Sequence, residues 1–265
     1  MAYAQLSVAI DPSSANSALE VGRLALRIGH DPVAETWLRR SIALGRRSHD
    51  WEAYGSALAA LGWFRERKNR LDDAREEYAK ALRVGRRWGL LETIAPALRG
   101  LLRVALRQGD QESAERYAPM ALRKHRGQHP QRVNVLLDVA EVEVRRGDHE
   151  RAESMLRKAL TGLISAEEEV RGLILLVRVV GALGDWQSVE SVWHRVEDVL
   201  EDAYGCSGEA IRSLLMLARA GAELQQDSNA DRAAQRALSY ARQIGDAELI
   251  SECETFLARR FPRAA

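Results

Sequence analysis

Residues Leu58–Leu82 read LAALGWFRERKNRLDDAREEYAKAL, and this stretch decides the fold. Ala74, Tyr78, Ala81 and Leu82 stand at i, i+4, i+7 and i+8, one apolar face of a helix. Twelve residues before Ala74, Gly62 leaves room for a second helix to approach, and five before it Asn69 turns the chain between the two. The same arrangement returns along the chain around Ala34, Ala114, Ala152, Val189 and Ala230. Successive spacings are 40, 40, 38, 37 and 41 residues, the periodicity of a helical solenoid.

The other repeats carry the pattern with local departures. The close-approach position holds Gly22, Gly62, Leu102, Ala140, Val177 and Ala218, and the turn position Gly29, Asn69, Gly109, Gly147, Gly184 and Gln225. This resembles the tetratricopeptide repeat (TPR), from about Ala15 to Gly245, with Leu58–Leu82 and Arg145–Leu160 as its best copies. The period exceeds the family's 34 residues because each second helix runs on through segments such as Gly45–Asp50 and Gly85–Gly89. That longer form is similar to bacterial signalling and regulatory TPR proteins. Repeat five has Val189 for the alanine and Glu197 for a leucine, and repeat six lacks its turn glycine. The resemblance implies an all-α fold, a right-handed α-solenoid of about six helix pairs.

The organisation expected is a lead segment over 1–14, a solenoid over 15–245 and a C-terminal capping helix and tail over 246–265. Leu249, Ile250, Cys253, Phe256 and Leu257 give the cap its apolar face, and Phe261-Pro262 ends it. Asp11-Pro12 interrupts the lead segment, with Ser13 or Ser14 positioned to cap the next helix. Gly-Asp pairs at 109, 147 and 184 read as a helix stop followed by a helix cap. KHRGQHP, residues 124–130, and YGCSG, residues 204–208, are the strongest loop signals.

Composition narrows the function. The 265 residues carry a net charge of +1, which argues against a globally basic nucleic-acid binder. Cys206 and Cys253 are too far apart in sequence for a CxxC pair and make neither a disulfide framework nor a metal site. The start lacks the basic flank and apolar core of a signal peptide, and no apolar run is long enough for a membrane span. A cytoplasmic protein is expected. Phosphate-loop, HExxH and CxxC motifs are absent, and GCSG at 205–208 is one residue short of a nucleophile elbow. His125 and His129 straddle a glycine-bearing loop, the other histidines sit near turns or on an exposed helix, and neither cofactor, metal nor catalysis is expected.

In TPR proteins the first helix of each pair lines the concave face, about 18, 15, 11, 8 and 7 residues before the anchor. Carried over to this chain, the resemblance selects Asn16, Leu19, Arg23, Leu26 and Arg27, then Ser56, Ala59, Trp63, Glu66 and Arg67. The third repeat supplies Pro96, Arg99, Arg103, Leu106 and Arg107, and the fourth Asn134, Leu137, Glu141, Val144 and Arg145. Arg171, Ile174 and Arg178 follow in the fifth repeat, and Arg212, Leu215, Arg219 and Glu223 in the sixth. Eleven arginines against three glutamates would form a positive stripe in the groove. Arg99, Arg103 and Arg107 are i, i+4 neighbours that repel unless negative charge lies between them. A partner's carboxylates would supply it bidentately, while aliphatic neighbours take its apolar anchors. Alternatively, Glu20, Glu66, Asp138 and Glu141 pair with these arginines from within the chain, and Trp63 packs beside Trp51. The family's carboxylate clamp, built from lysine and asparagine, is not reproduced, since its positions hold Leu19 and Arg23.

The function expected is a non-enzymatic protein-interaction module, an adaptor, scaffold or regulatory subunit, whose groove binds an acidic, partly apolar segment of another protein. Single-stranded nucleic acid in the same groove and a signalling-peptide sensor are the alternatives. Self-association through the C-terminal cap, or through Val192, Trp193 and Val196 of repeat five, is a further expectation, against packing of those residues on repeat six.

Overall fold

The computed structural model describes residues 13–124, 131–161 and 165–260. Most of the lead segment, the loop at 125–130 and the Phe261-Pro262 stop lie outside them. Thirteen helices and no strand occur among the described residues, and the fold is an all-α solenoid of TPR-like helix pairs. Packing divides the chain into two compact units, residues 1–129 and 130–265.

The first unit holds α1 (Ala15–Arg27), α2 (Asp31–Ser48), α3 (Trp51–Arg67), α4 (Leu71–Trp88), α5 (Leu91–Gln108) and α6 (Gln111–Lys124). Each packs on the next, and α3 also packs on both α1 and α5. The second unit holds α7 (Gln131–Arg146), α8 (His149–Leu160), α9 (Ala166–Ala182), α10 (Trp186–Tyr204), α11 (Gly208–Glu223), α12 (Asp227–Ile244) and α13 (Ala247–Arg260). There α7, α9, α11 and α13 form the corresponding row.

The anchors explain the pairing. Ala34, Ala74, Ala114, Ala152 and Ala230 are wholly inaccessible to solvent and Val189 nearly so, because each sits where a second helix crosses its first. In the second repeat the crossing is built around Tyr78. A methyl group on Gly62 would lie 2.9 Å from the Tyr78 ring, and one on Gly100 would overlap the ring. Two glycines therefore admit one aromatic side chain between α3 and α5. Trp193 plays a similar part in the second unit, buried with its ring against Gly221. Val196 is fully buried as well, so Trp193 and Val196 of the apolar patch expected on repeat five are core, Trp193 packing on repeat six, while Val192 is half-buried.

Every turn between paired helices adopts the left-handed conformation at the predicted position, including Asn69 at φ 57° and Gln225 at φ 59°. Loss of the glycine in repeat six therefore leaves the turn in place, with strain at Gln225. Asp110, Asp148 and Asp185 then accept backbone N–H groups of Ser113, Arg151 and Ser188 at 3.0–3.2 Å. Hydrogen bonds from the Ser113 backbone and hydroxyl, and from the Ser188 hydroxyl and backbone, hold the Asp110 and Asp185 carboxyls below the usual aspartate range. YGCSG is a helix joint: Gly205 follows α10, and Ser207 caps α11 by accepting from Ala210 N at 3.2 Å.

Candidate protein-binding face

The arginine stripe is largely answered by the chain itself. In the first unit, Arg103 of α5 grips Glu66 of α3 with two bonds, Nε to Oε1 at 2.9 Å and Nη2 to Oε2. Glu66 is 6% exposed and also accepts the Tyr78 hydroxyl at 2.9 Å. Burial, then the Glu66 charge, drives the Tyr78 phenol far above its ordinary range. Arg107 donates to the Glu66 carbonyl at 2.8 Å and to Asn69 Oδ1 at 3.0 Å. One repeat earlier, Arg67 makes the equivalent bond to the Leu26 carbonyl at 3.1 Å and lies 5.0 Å over the Trp63 ring. Arg99 is partly buried and also partnered. The repulsion expected along Arg99, Arg103 and Arg107 is thus relieved from within.

The second unit follows the same rule with different partners. Arg171 reaches Asp138 at 2.7 Å and Glu141 at 3.3 Å. Burial opposes the Arg171 charge, but these two carboxylates raise its pKa nonetheless. Arg145 pairs with Glu141, Arg178 with Glu223 and Arg219 with Glu252, at 2.8–2.9 Å. In the first repeat Arg23 pairs with Glu20 at 2.9 Å. All four acids named as internal partners, Glu20, Glu66, Asp138 and Glu141, are used in this way.

The aliphatic positions expected to receive a partner's apolar anchors are core instead. Leu19, Leu106, Leu137, Ile174 and Leu215 are at most 4% exposed, since neighbouring first helices close on one another through them. Trp63 is partly buried on the cluster around Leu26, Leu38 and Phe64. Trp51 stacks elsewhere, on Trp88, with ring centroids 5.3 Å apart.

What stays open is narrower. Arg27 and Arg212 are exposed and have no ion-pair partner among the described residues. Arg212, Met216, Arg219 and Glu223 lie along one face of α11 at i, i+4, i+7 and i+11, and Met216 is 48% exposed. Beside that face a cleft of about 720 Å³ opens between α11 and α13. Arg219, Ser251, Glu252, Thr255, Phe256 and Arg259 line it, together with Glu248. Arg259 likewise has no ion-pair partner among the described residues. The α13 contribution is absent from the sequence-based groove, where that helix is a cap and a candidate self-association surface. Its signal was the row Ser251, Thr255, Arg259 at i, i+4, i+8, opposite the buried Leu249 and Cys253.

The MalT-like TPR region model matches residues 19–250. The chain belongs to this TPR family. Solved structures agree on the fold. RapI in its apo form aligns at TM-score 0.67 and 12% identity, over 88% of this chain and 85% of that one. The apo quorum sensor NprR from B. thuringiensis gives 0.66 and 14%, over 93% and 70%. BtubC from P. vanneervenii gives 0.61 and 22%, over 72% and 81%. No curated protein matches the sequence. No helix of the TPR array is long and apolar enough to cross a membrane among the described residues, and no cluster of three or more metal-binding side chains occurs among them.

Proposed function

We propose that this TPR protein is a non-enzymatic interaction module whose partner presents an acidic, partly apolar segment to the cleft between α11 and α13. The observation that carries the reading is the cleft itself. It joins exposed cations to an aromatic side chain, Phe256, beside Arg219, which the TPR resemblance assigns to the inner face. Arg212 and Arg259, without acid partners in the described residues, flank Arg219, whose bond to Glu252 joins side chains 53% and 44% exposed. Such a solvated pair is worth about 0–1 kcal/mol, so an incoming carboxylate can take over the Arg219 guanidinium at little cost. Met216 and Phe256 offer the apolar contact. Arg67, Arg103 and Arg107 of the first unit act as cross-repeat staples and are not part of the binding surface, which shifts the arginine-lined groove to its C-terminal end.

A short signalling peptide is the second reading. NprR is described as a quorum sensor, and a free peptide carboxylate would suit the same cations. Single-stranded nucleic acid fits less well. Residues 130–265, the unit that carries this cleft, hold 17 Lys and Arg against 23 Asp and Glu, a net charge of −6, and tight binding of a long polyanionic strand needs an extended positive field.

The test is nuclease-treated co-purification from the native host, with wild type beside Arg212→Glu/Arg219→Glu/Arg259→Glu, after circular dichroism has established that both fold. The expected result is a protein partner retained by wild type and lost by the variant. Identical partners with both proteins, or loss of everything on nuclease treatment, would overturn the proposal.

A further inference from the structure

The two units carry opposite charge. Residues 1–129 hold 22 Lys and Arg against 15 Asp and Glu, net +7, while residues 130–265 are net −6. The overall value of +1 therefore conceals a bipolar chain with no global repulsion to keep copies apart.

In the first unit four arginines gather at one edge, where second helices end and first helices begin. Arg46 and Arg47 close α2, and Arg86 and Arg87 close α4, at equivalent positions twelve and thirteen residues past their anchors. All four are exposed and none has an ion-pair partner among the described residues. Between them lies an aromatic surface. Trp51 at the start of α3 stacks on Trp88 at the end of α4 with 8° between the ring planes, Arg87 lies 5.6 Å over Trp88, and His49 meets Trp51 edge-on. Trp88 is 47% exposed and Leu91, which opens α5, is 50% exposed. Asp50 spends its carboxylate capping α3, so Glu52 and Glu92 are the remaining acids at the edge and leave it positive. Helix-end arginines also answer the C-terminal dipole, but that role does not require two solvent-facing large apolar side chains beside them.

The equivalent positions in repeat five are reversed to Glu201 and Asp202, at the end of α10. Asp198 and Asp202 are exposed, stand at i, i+4, and have no partner among the described residues, although like charges at that spacing repel. Glu201 bonds Arg236 at 2.9 Å yet remains 71% exposed. Tyr204 follows one turn on, partly exposed. This end of α10 is an acidic surface with an aromatic tip, the complement of the Trp51/Trp88 edge in both charge and apolar character.

We infer that the protein self-associates, the Trp51/Trp88 edge of one copy receiving the acidic end of α10 of a second copy. The contact is independent of the α11/α13 cleft, so either can fail without the other. Sedimentation velocity on the full chain tests it, at low salt and in 1 M NaCl, where the screening length falls to about 3 Å. Wild type is expected to form dimers or larger species at low salt and to be monomeric in 1 M NaCl. Arg46→Glu/Arg47→Glu/Arg86→Glu/Arg87→Glu and Asp198→Lys/Glu201→Lys/Asp202→Lys are each expected to be monomeric alone. Mixed in equal amounts, they restore association, because each supplies the charge the other has lost. Circular dichroism on each variant establishes that substitution of these exposed residues leaves the helices intact. A wild type monomeric at every concentration in low salt overturns the inference, as does association that survives either substitution or 1 M NaCl. Failure of the mixture to associate also overturns it, and in that case the two edges serve other partners.

Discussion

Removing the Glu66 carboxylate should cost far more than its place on a predicted ligand-facing row would suggest. In Glu66→Ala the Arg103 guanidinium loses both of its bonds to Glu66 and the Tyr78 hydroxyl loses its acceptor, in a site where Glu66 is 6% exposed and Tyr78 2%. Breaking one side of a buried pair typically costs about 3–5 kcal/mol. The Arg103 side chain retains 19% exposure and can recover some hydration, which brings the expected loss to about 2–4 kcal/mol. Arg107 keeps its bonds to the Glu66 carbonyl and Asn69 and loses only a long ion-pair contact with the carboxylate, at 4.0 Å. Glu66→Ala/Arg103→Met removes both charges and fills part of the slot, and should cost less than the single change, with a coupling energy of about 1–3 kcal/mol. Urea unfolding followed by tryptophan fluorescence reads mainly the first unit, which holds four of the six tryptophans, Trp37, Trp51, Trp63 and Trp88. A loss below about 1 kcal/mol for Glu66→Ala, the range of exposed pairs, would refute the reasoning. Strict additivity in the double variant would do the same.

Three further expectations follow from the fold. Gly100→Ala should destabilise by about 2–3 kcal/mol in the same urea assay, because Tyr78 is held by Gly62 on its other side and by Glu66 at its hydroxyl; a cost below about 1 kcal/mol would mean that the ring is free to move. Gln225→Gly should raise stability by about 1 kcal/mol, since an exposed non-glycine residue occupies φ 59° there, and a destabilised variant would point to a side-chain role for Gln225. Asp110 and Asp185 have folded pKa values below their unfolded ones. Their stabilising contribution is therefore complete above the unfolded value, about 3.9, and is lost as pH falls through it and then through the folded value. The stability gap between wild type and Asp110→Ala/Asp185→Ala should narrow between pH 6 and pH 3, and a gap that does not change with pH would count against this assignment.

Much of the fold was legible because it depends on residues whose size is decisive at fixed spacing. Ala34, Ala74 and their counterparts mark helix crossings through volume alone, and the turn positions kept their left-handed backbone even where Asn69 and Gln225 replaced glycine. The candidate site was less legible because charge pairing is not periodic. Arg103 reaches back 37 residues to Glu66, whereas Arg178 reaches forward 45 to Glu223. A census of inward positions records the arginines and cannot say which acid meets each. The inward aliphatic residues misled for a related reason: the first helices pack on one another, and the same stripe that faces inward also forms their seam. Arg259 and Phe256 escaped because the sequence of α13 reads as an end cap, although the helix supplies one wall of the cleft.

The most direct test of the account is site-specific photo-crosslinking in the native host. The crosslinking residue is placed at Thr255, inside the cleft, and separately at Ala43, on the exposed side of α2. The account predicts that Thr255 captures a protein whose attached peptide, read by mass spectrometry, carries several acidic residues and an apolar anchor. The adduct should disappear when Arg212→Glu/Arg219→Glu/Arg259→Glu is introduced, and Ala43 should not capture that protein. Capture at Ala43 and not at Thr255, or an adduct unchanged by the arginine substitutions, would contradict it.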